Sequence, residues 1–165
     1  MTKSSQRKSV FETFYSRRPG HLIRRCQQIH VALFLQECKE FNLTPIQYST
    51  LNVLGHLEGI DQASLAGYVA LHRSTAGNVL MRLEKRGLVS RKVSTEDKRI
   101  KLLYLTEKGQ QVWKSVSRGV QRAQKLLLKP LNQNEKKLFV DYLARVANFH
   151  NEKSRAPLTQ LFDHQ

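Results

Sequence analysis

The sequence predicts a mainly α-helical protein with a small β wing, in which a winged helix-turn-helix lobe is flanked by long helices. Apolar residues at helical spacing predict two short helices over Gln62–Ala70 and Ser74–Arg86. Two β-branched or aromatic runs follow, Leu88–Val93 and Ile100–Leu105, separated by the polar loop Ser94–Arg99. Such a pair of runs is typical of a β-hairpin. Two helices at a turn and then a hairpin make a winged helix-turn-helix.

Two further helices are predicted before the helix-turn-helix. The first covers about Gly20–Phe41 and has Pro19 in its first position. Its apolar surface is wide for a single helix, which favours burial against both its own domain and a second subunit. Thr44 and Gln47 form a capping box at the start of the second helix, and Asp61 caps the first helix of the helix-turn-helix.

Two more helices are predicted after the hairpin. Thr106 caps a long helix that reaches about Lys129, and Pro130 stops it. Asn132 and Glu135 form a second capping box, which begins a last helix ending near residue 150. The flanking helices carry more apolar surface than one lobe can cover, and a two-fold dimer would bury it.

These elements predict one domain with a short extension at each end. Residues 1–18 are expected to form a flexible basic arm, and residues 151–165 a loose tail. The domain covers residues 19–150. Within it we expect the winged lobe at 45–105 and dimerisation helices at 19–43 and 106–150.

The charge predicts a polyanionic partner. The chain carries a net charge of +15 with a pI near 10.2, which favours nucleic acid or an anionic membrane surface over a merely solvated basic face. Gln62–Leu105 contains nine Lys or Arg against three Asp or Glu. A recognition helix places its first residues at base edges. Here these are Arg73, Ser74, Thr75 and Asn78, with side chains able to read guanine, adenine or phosphates, although one of the two hydroxyls is also a candidate helix cap.

One segment carries a family resemblance. The run LEKRGLV at Leu83–Val89, followed by Asp97-Lys98-Arg99, resembles the MarR family of bacterial winged-helix regulators, over roughly Pro19 to Phe149. The resemblance implies dimerisation helices around DNA-binding lobes, and a wing tip at Asp97, Lys98 and Arg99. Arg99 would enter the minor groove, with Asp97 orienting it through a charge-assisted bond; the alternative is a solvated hairpin tip. Gly77 departs from the pattern, because glycine is unusual in the middle of a helix and costs about 1 kcal/mol relative to alanine. Either the bare backbone lies close to DNA at this position, or the glycine is merely tolerated.

A second group of polar residues lies on the first helix and predicts an acid-binding site. The string PGHLIRRCQQIHVALF resembles MarR relatives that sense aromatic acids, and among them regulators of nicotinate breakdown that respond to 6-hydroxynicotinate. A cation there would bind the carboxylate, and Tyr48 or a phenylalanine would pack on the ring. The alternative is intersubunit salt bridges and surface charge. The group consists of His21, Arg24, Arg25, Gln28 and His30, of which His21, Arg24 and Arg25 are the candidate ligand residues together with Tyr48.

Cys26 admits two interpretations. Arg24 and Arg25 beside it would lower a thiol pKa, as in a redox sensor, but its place in the apolar stripe favours a small core residue. Cys26 and Cys38 lie twelve residues apart on one predicted helix, roughly 18 Å, too far for a disulfide.

No enzyme motif is present in the sequence. There is no nucleotide-binding loop, no GxSxG elbow and no metal-ligand spacing, so we expect no catalytic residues, metal or cofactor. No run approaches the roughly 20 apolar residues of a membrane span, and no signal peptide is evident, so a cytoplasmic protein is expected. The sequence predicts a homodimeric repressor that binds a pseudo-palindromic operator and releases it on binding an aromatic carboxylate. The alternatives are a thiol-based redox repressor and a sequence-independent architectural DNA-binding protein.

Overall fold

The computed structural model describes residues 17–159, and in this part the chain folds into six α-helices and a three-stranded sheet. The helices are α1 (Pro19–Glu37), α2 (Pro45–His56), α3 (Gln62–Tyr68), α4 (Arg73–Lys85), α5 (Glu107–Leu127) and α6 (Gln133–Phe149). The strands are β1 (Ile60–Asp61), β2 (Val89–Val93) and β3 (Lys101–Leu105), and 3-10 turns lie at Lys39–Phe41 and Asn151–Lys153. Most of the predicted basic arm, residues 1–16, lies outside the described residues.

The predicted capping residues begin their helices. Thr44 and Gln47 exchange side-chain and backbone hydrogen bonds of 3.3 and 3.0 Å at the start of α2. Asn132 and Glu135 form the same box at α6, and Thr106 accepts a 3.0 Å bond at α5. These bonds satisfy backbone N–H groups that the first turn of a helix leaves without partners. Because each box spans four residues, it was readable from the sequence.

Two helix ends differ from the prediction. Helix α1 ends at Glu37 rather than near Phe41, because a 3-10 turn and Asn42, in the left-handed region at φ 47°, redirect the chain toward the buried Leu43. Helix α3 ends at Tyr68 rather than Ala70. Ala70 adopts the left-handed conformation at φ 50°, a position that more often holds glycine.

The sheet is antiparallel, in the order β1-β3-β2. The predicted hairpin is confirmed: Arg91 on β2 lies opposite Leu103 on β3. The third strand, the two-residue β1, was not predicted. It places Ile60 opposite Leu103 on the other side of β3, and so connects the start of α3 to the wing.

The core lies where α2, α3, α4 and the sheet meet. The inward face of α4 is buried as predicted, with Leu80 and Leu83 fully enclosed. The core continues to the crossing of α1 and α5, where a Cβ at Gly119 would lie 2.7 Å from the carbonyl oxygen of Glu37. Glu37 also accepts a 2.8 Å bond from Arg122. These contacts bring the two long helices close together.

Within residues 17–159, helix α6 and the first half of α1 are largely uncovered. No residue of α6 is buried, and the only buried residue of α1 is Phe34. The segment that follows α6 was expected to be loose, yet residues 151–159 are held by hydrogen bonds. The side chain of Asn151 bonds both backbone groups of Leu158, and the amide of Thr159 donates to the carbonyl of Gly67 on α3 at 3.0 Å. Among the described helices, none is long and apolar enough to cross a membrane.

Candidate nucleic-acid interface

The outward side of α4 exposes the four residues predicted to read DNA. Arg73, Ser74, Thr75 and Asn78 are all exposed, while the opposite side of the helix packs into the core. The helix starts at Arg73, and its N-cap is His72, which makes no side-chain capping bond. Neither hydroxyl is therefore the cap, and the interpretation of Ser74 or Thr75 as a capping residue was wrong.

The wing tip is organised by two side chains that bind the loop backbone. The hydroxyl of the buried Ser94 accepts bonds from the backbone amides of Glu96 and Asp97, at 3.2 and 3.3 Å. The carboxylate of Asp97 accepts a 2.8 Å bond from the backbone amide of Arg99. Asp97 was expected to orient the guanidinium of Arg99, but its bond goes to the backbone instead, because a carboxylate at this spacing closes a local turn. Lys98 and Arg99 are exposed at the tip.

A basic cleft of about 500 Å³ lies between the start of α4 and the wing. It brings Arg73 and Arg99 together, although they are far apart in sequence, and adds Arg91 and Lys101. Four cations around one cleft attract an anion such as a phosphate. The cleft is lined by Asp61, Gln62, Ala63, Arg73, Arg91, Arg99, Ile100 and Lys101. Three of these residues were not predicted from the sequence: Gln62, Arg91 and Lys101. The signal for Arg91 and Lys101 was the basic composition of the hairpin, and Gln62 at the start of α3 had none.

Among the described residues that line this cleft, Asp61 is the one carboxylate, and it caps a helix. It accepts bonds from the backbone amides of Ala63 and Ser64 at 2.7 and 3.1 Å and from the Ser64 hydroxyl at 2.6 Å. The hydroxyl bond is the main reason that the pKa of Asp61 is lowered. Its charge is thus directed to the start of α3, where a helix favours an anion.

The predicted acid-binding residues fall into two places within one chain. Arg24 and Arg25 are exposed on α1, His21 is half-buried near its start, and Arg24 bonds Gln28 at 3.2 Å. Tyr48 lies on α2, with its ring 6.0 Å from that of Phe34. Burial raises the pKa of Tyr48. Phe34 follows Arg24 by ten residues, roughly 15 Å along a helix. A single chain therefore does not bring Tyr48 next to these cations.

An apolar cavity of about 450 Å³ opens between α1, the end of α5 and α6. Cys26 lines it and is exposed, so in one chain this thiol is not the core residue that was favoured. The buried cysteine is Cys38. The lining residues are Leu22, Ile23, Cys26, Gln27, His30, Leu127, Leu128, Pro130, Leu131, Phe139 and Leu143. Among residues 17–159, no three His, Cys, Asp or Glu side chains are grouped so as to hold a metal ion.

Comparison with known proteins agrees with this arrangement. The MarR family model matches residues 43–101. The HTH-type transcriptional repressor NicR of Pseudomonas putida is 31% identical over 126 residues, which cover 76% of this chain and 79% of NicR. The structure of the PcaV regulator of Streptomyces coelicolor in complex with its natural ligand has 37% identity and a TM-score of 0.76, covering 81% of this chain and 94% of PcaV.

A third similar structure concerns the control of DNA binding by an aromatic acid. It describes regulation of DNA binding of Bordetella bronchiseptica BpsR by 6-hydroxynicotinic acid. Its identity to this chain is 26% and its TM-score 0.74, with coverage of 81% of this chain and 95% of that one.

Proposed function

Because the chain belongs to the MarR family of winged-helix transcriptional regulators, we propose that it acts in the cytoplasm as a homodimeric repressor of a pseudo-palindromic operator. The observation that carries the proposal is the basic cleft, which joins Arg73 of the recognition helix to Arg99 of the wing. A surface that presents a helix and a cationic loop side by side fits the major groove and the adjacent minor groove of one duplex.

Each side chain at this surface has a distinct proposed role. Arg73 and Asn78 bind base edges in the major groove, where Arg favours guanine and Asn favours adenine. Ser74, Thr75 and Lys98 bind phosphates, which set the register without reading sequence. Arg99 enters the minor groove. Asp97 supports it indirectly, by closing the loop through the backbone of residue 99.

The uncovered face of α6 supports the dimer. Two lobes related by a two-fold axis present two recognition helices to half-sites about 34 Å apart, or a multiple of that distance. The apolar side chains of α6 that would pack against the second subunit are Leu138, Tyr142, Val146 and Phe149.

We further propose that a small aromatic carboxylate such as 6-hydroxynicotinate releases the operator. The support is the named ligand of BpsR together with the cationic group at the start of α1. Arg24 or Arg25 binds the carboxylate with His21 nearby, and Tyr48 contributes to the site only if the dimer brings it to those cations. The ligand favours a spacing of the two lobes that does not fit successive major grooves, so release is a shift of population.

The test begins with selection of the operator from a random duplex library. 6-Hydroxynicotinate is then titrated into the operator complex of the wild type, Arg24→Ala and Arg25→Ala, with Lys39→Ala as an exposed cation beyond the end of α1. We expect one of the two α1 variants to need roughly ten to a hundred times more ligand for release, because a charge-assisted bond is lost. DNA affinity without ligand should stay unchanged.

Two outcomes would contradict parts of the proposal. Equal affinity for all duplexes indicates an architectural protein instead. Release of DNA from both α1 variants at the wild-type ligand concentration places the acid site elsewhere.

The exposed thiol of Cys26 favours one second candidate, a redox-sensing repressor. Peroxide-induced release that Cys26→Ser abolishes would support it, and the same release in that variant would exclude it.

A further inference from the structure

Gln62, the first residue of α3, connects three elements of the interface through one amide group. Its Nε2 donates to the carbonyl oxygen of Arg73 at 3.2 Å. Its Oε1 accepts from Nη1 of Arg91 on β2, also at 3.2 Å. The side chain thus bonds the first turn of the recognition helix at one end and the wing at the other.

Arg91 is bound from a second direction as well. Its Nε donates to Oε1 of Glu84 at 2.9 Å, and both side chains are partly buried, at 27% and 30% exposure. Glu84 lies near the end of α4, whereas Gln62 bonds its beginning. Arg91 therefore connects the wing to the whole length of the recognition helix, partly through Gln62.

The amide of Gln62 lies close to α4 at Gly77. A Cβ at this position would lie 3.1 Å from Nε2 of Gln62 and 3.9 Å from its Cδ. Gly77 does not have a positive φ, unlike Gly59 and Gly87, so the backbone conformation does not require glycine. A Cβ there would instead crowd the amide of Gln62, one helical turn after the carbonyl that this amide binds, so the amide would have to shift by a few tenths of an ångström.

We infer that Gln62 is a positioning residue for base recognition: its amide, seated on Gly77, holds the first turn of α4 and the wing in one fixed relation. The inference rests on the proposed function. Direct reading of bases depends on the placement of side chains, whereas attraction to phosphates depends on charge. Loss of the amide should therefore reduce sequence discrimination and leave non-specific binding unchanged.

The experiment compares the wild type with Gln62→Ala, Gly77→Ala and the double variant. Each is measured on the selected operator, on a scrambled duplex and on operators with single base-pair changes, at several salt concentrations. Gln110→Ala is the matched control, because its amide bonds Glu58 at 3.4 Å outside the cleft. Thermal unfolding of each variant checks the fold.

We expect Gln62→Ala to bind the operator about ten-fold more weakly, within the range of one lost base contact. The scrambled duplex and the salt slope should not change, since no charge is removed. Gly77→Ala should show a similar loss although alanine favours a helix, and the double variant should be no worse than either single one, because both remove the same contact. Discrimination should weaken at several base pairs, in both the α4 and the wing contacts.

Several results would overturn the inference. If Gln62→Ala leaves the ratio of operator affinity to scrambled-duplex affinity unchanged, Gln62 is not a positioning residue. A loss confined to one base pair would make Gln62 a direct reader, and additive effects in the double variant would separate Gly77 from it. If the wild type itself shows no sequence preference, the inference falls together with the proposed function. If the wild type prefers the operator and the Gln62 variants keep the same preference, the inference falls and the proposed function stands.

Discussion

Helices α4 and α6 are both amphipathic, but the apolar side of α4 is buried and the apolar side of α6 is exposed. Leu80 and Leu83 of α4 are fully buried, whereas Val146 and Phe149 of α6 are 55% and 83% exposed. The winged lobe surrounds α4 with α2, α3 and the sheet, so its apolar side is satisfied within one chain. The comparison teaches that an apolar stripe predicts burial but does not identify the partner that provides it.

The polar contacts of the lobe and of α6 also differ: those in the lobe join separate elements, and those on α6 stay within the helix. In the lobe, side-chain bonds such as Arg91–Glu84 and Gln62–Arg73 connect separate elements. On α6 the hydrogen bonds of Asn132 with Glu135 lie within the first turn of the helix. We expect the lobe to act as a preformed reading surface, and the flanking helices to set how two such surfaces are spaced.

The largest expected effect comes from charging the α6 face. Tyr142→Glu combined with Val146→Glu would place carboxylates in the proposed dimer interface, where each costs several kcal/mol if buried without a partner. Sedimentation at micromolar concentration should show a single 19.1 kDa chain instead of twice that mass. Operator affinity should fall by at least about a hundred-fold, while affinity for a single half-site duplex stays unchanged.

The matched control for that variant is Gln133→Glu, at the exposed first turn of α6, where a negative charge is favourable. A double variant that remains a dimer, or a wild-type monomer that binds a palindrome tightly, would show that α6 is not the interface.

An intermediate effect is expected from Arg99→Ala, which alters the lobe and should leave the dimer intact. The bond from Asp97 goes to the backbone amide of residue 99, so alanine preserves the turn. We expect operator affinity to fall about ten-fold and the salt slope to decrease by about one counterion. The measurement is fluorescence anisotropy across salt concentrations, with Lys114→Ala on α5 as the control. Equal affinities for variant and wild type at every salt concentration would argue against a wing contact.

The smallest effect is a pH dependence of lobe stability through Asp61. The Ser64 hydroxyl lowers the pKa of this carboxyl in the folded state, so its contribution is fully present above the unfolded value of about 4 and is lost as pH falls through the folded pKa. Asp61→Asn keeps a capping side chain but removes the titration. Urea midpoints between pH 6 and pH 2.5 should therefore fall less steeply in this variant than in the wild type.

Asp141→Asn, which changes an exposed carboxylate on α6, serves as the comparison for that measurement. If both substitutions flatten the pH profile equally, the cap at α3 does not account for it.

The sequence by itself determined the features that depend on neighbours within a few residues. The capping boxes at Thr44 and Asn132, the inward side of α4 and the β2–β3 hairpin could be read because helix and strand periodicities repeat locally. The family could also be read, since the LEKRGLV segment and the Asp97–Arg99 tip are continuous motifs.

Only the tertiary structure decided which distant side chains meet. Gln62 and Arg91 are 29 residues apart, and no local pattern indicated that one amide would connect them to the first turn of α4. The same packing places the amide of Gln62 3.1 Å from where a Cβ of residue 77 would lie. Elsewhere, the packing of α2 on α1 places the ring of Tyr48 6.0 Å from that of Phe34, ten residues after Arg24. The physical reason is range: periodicity and capping act over one or two turns, whereas the interface depends on how α3, α4 and the wing pack against one another.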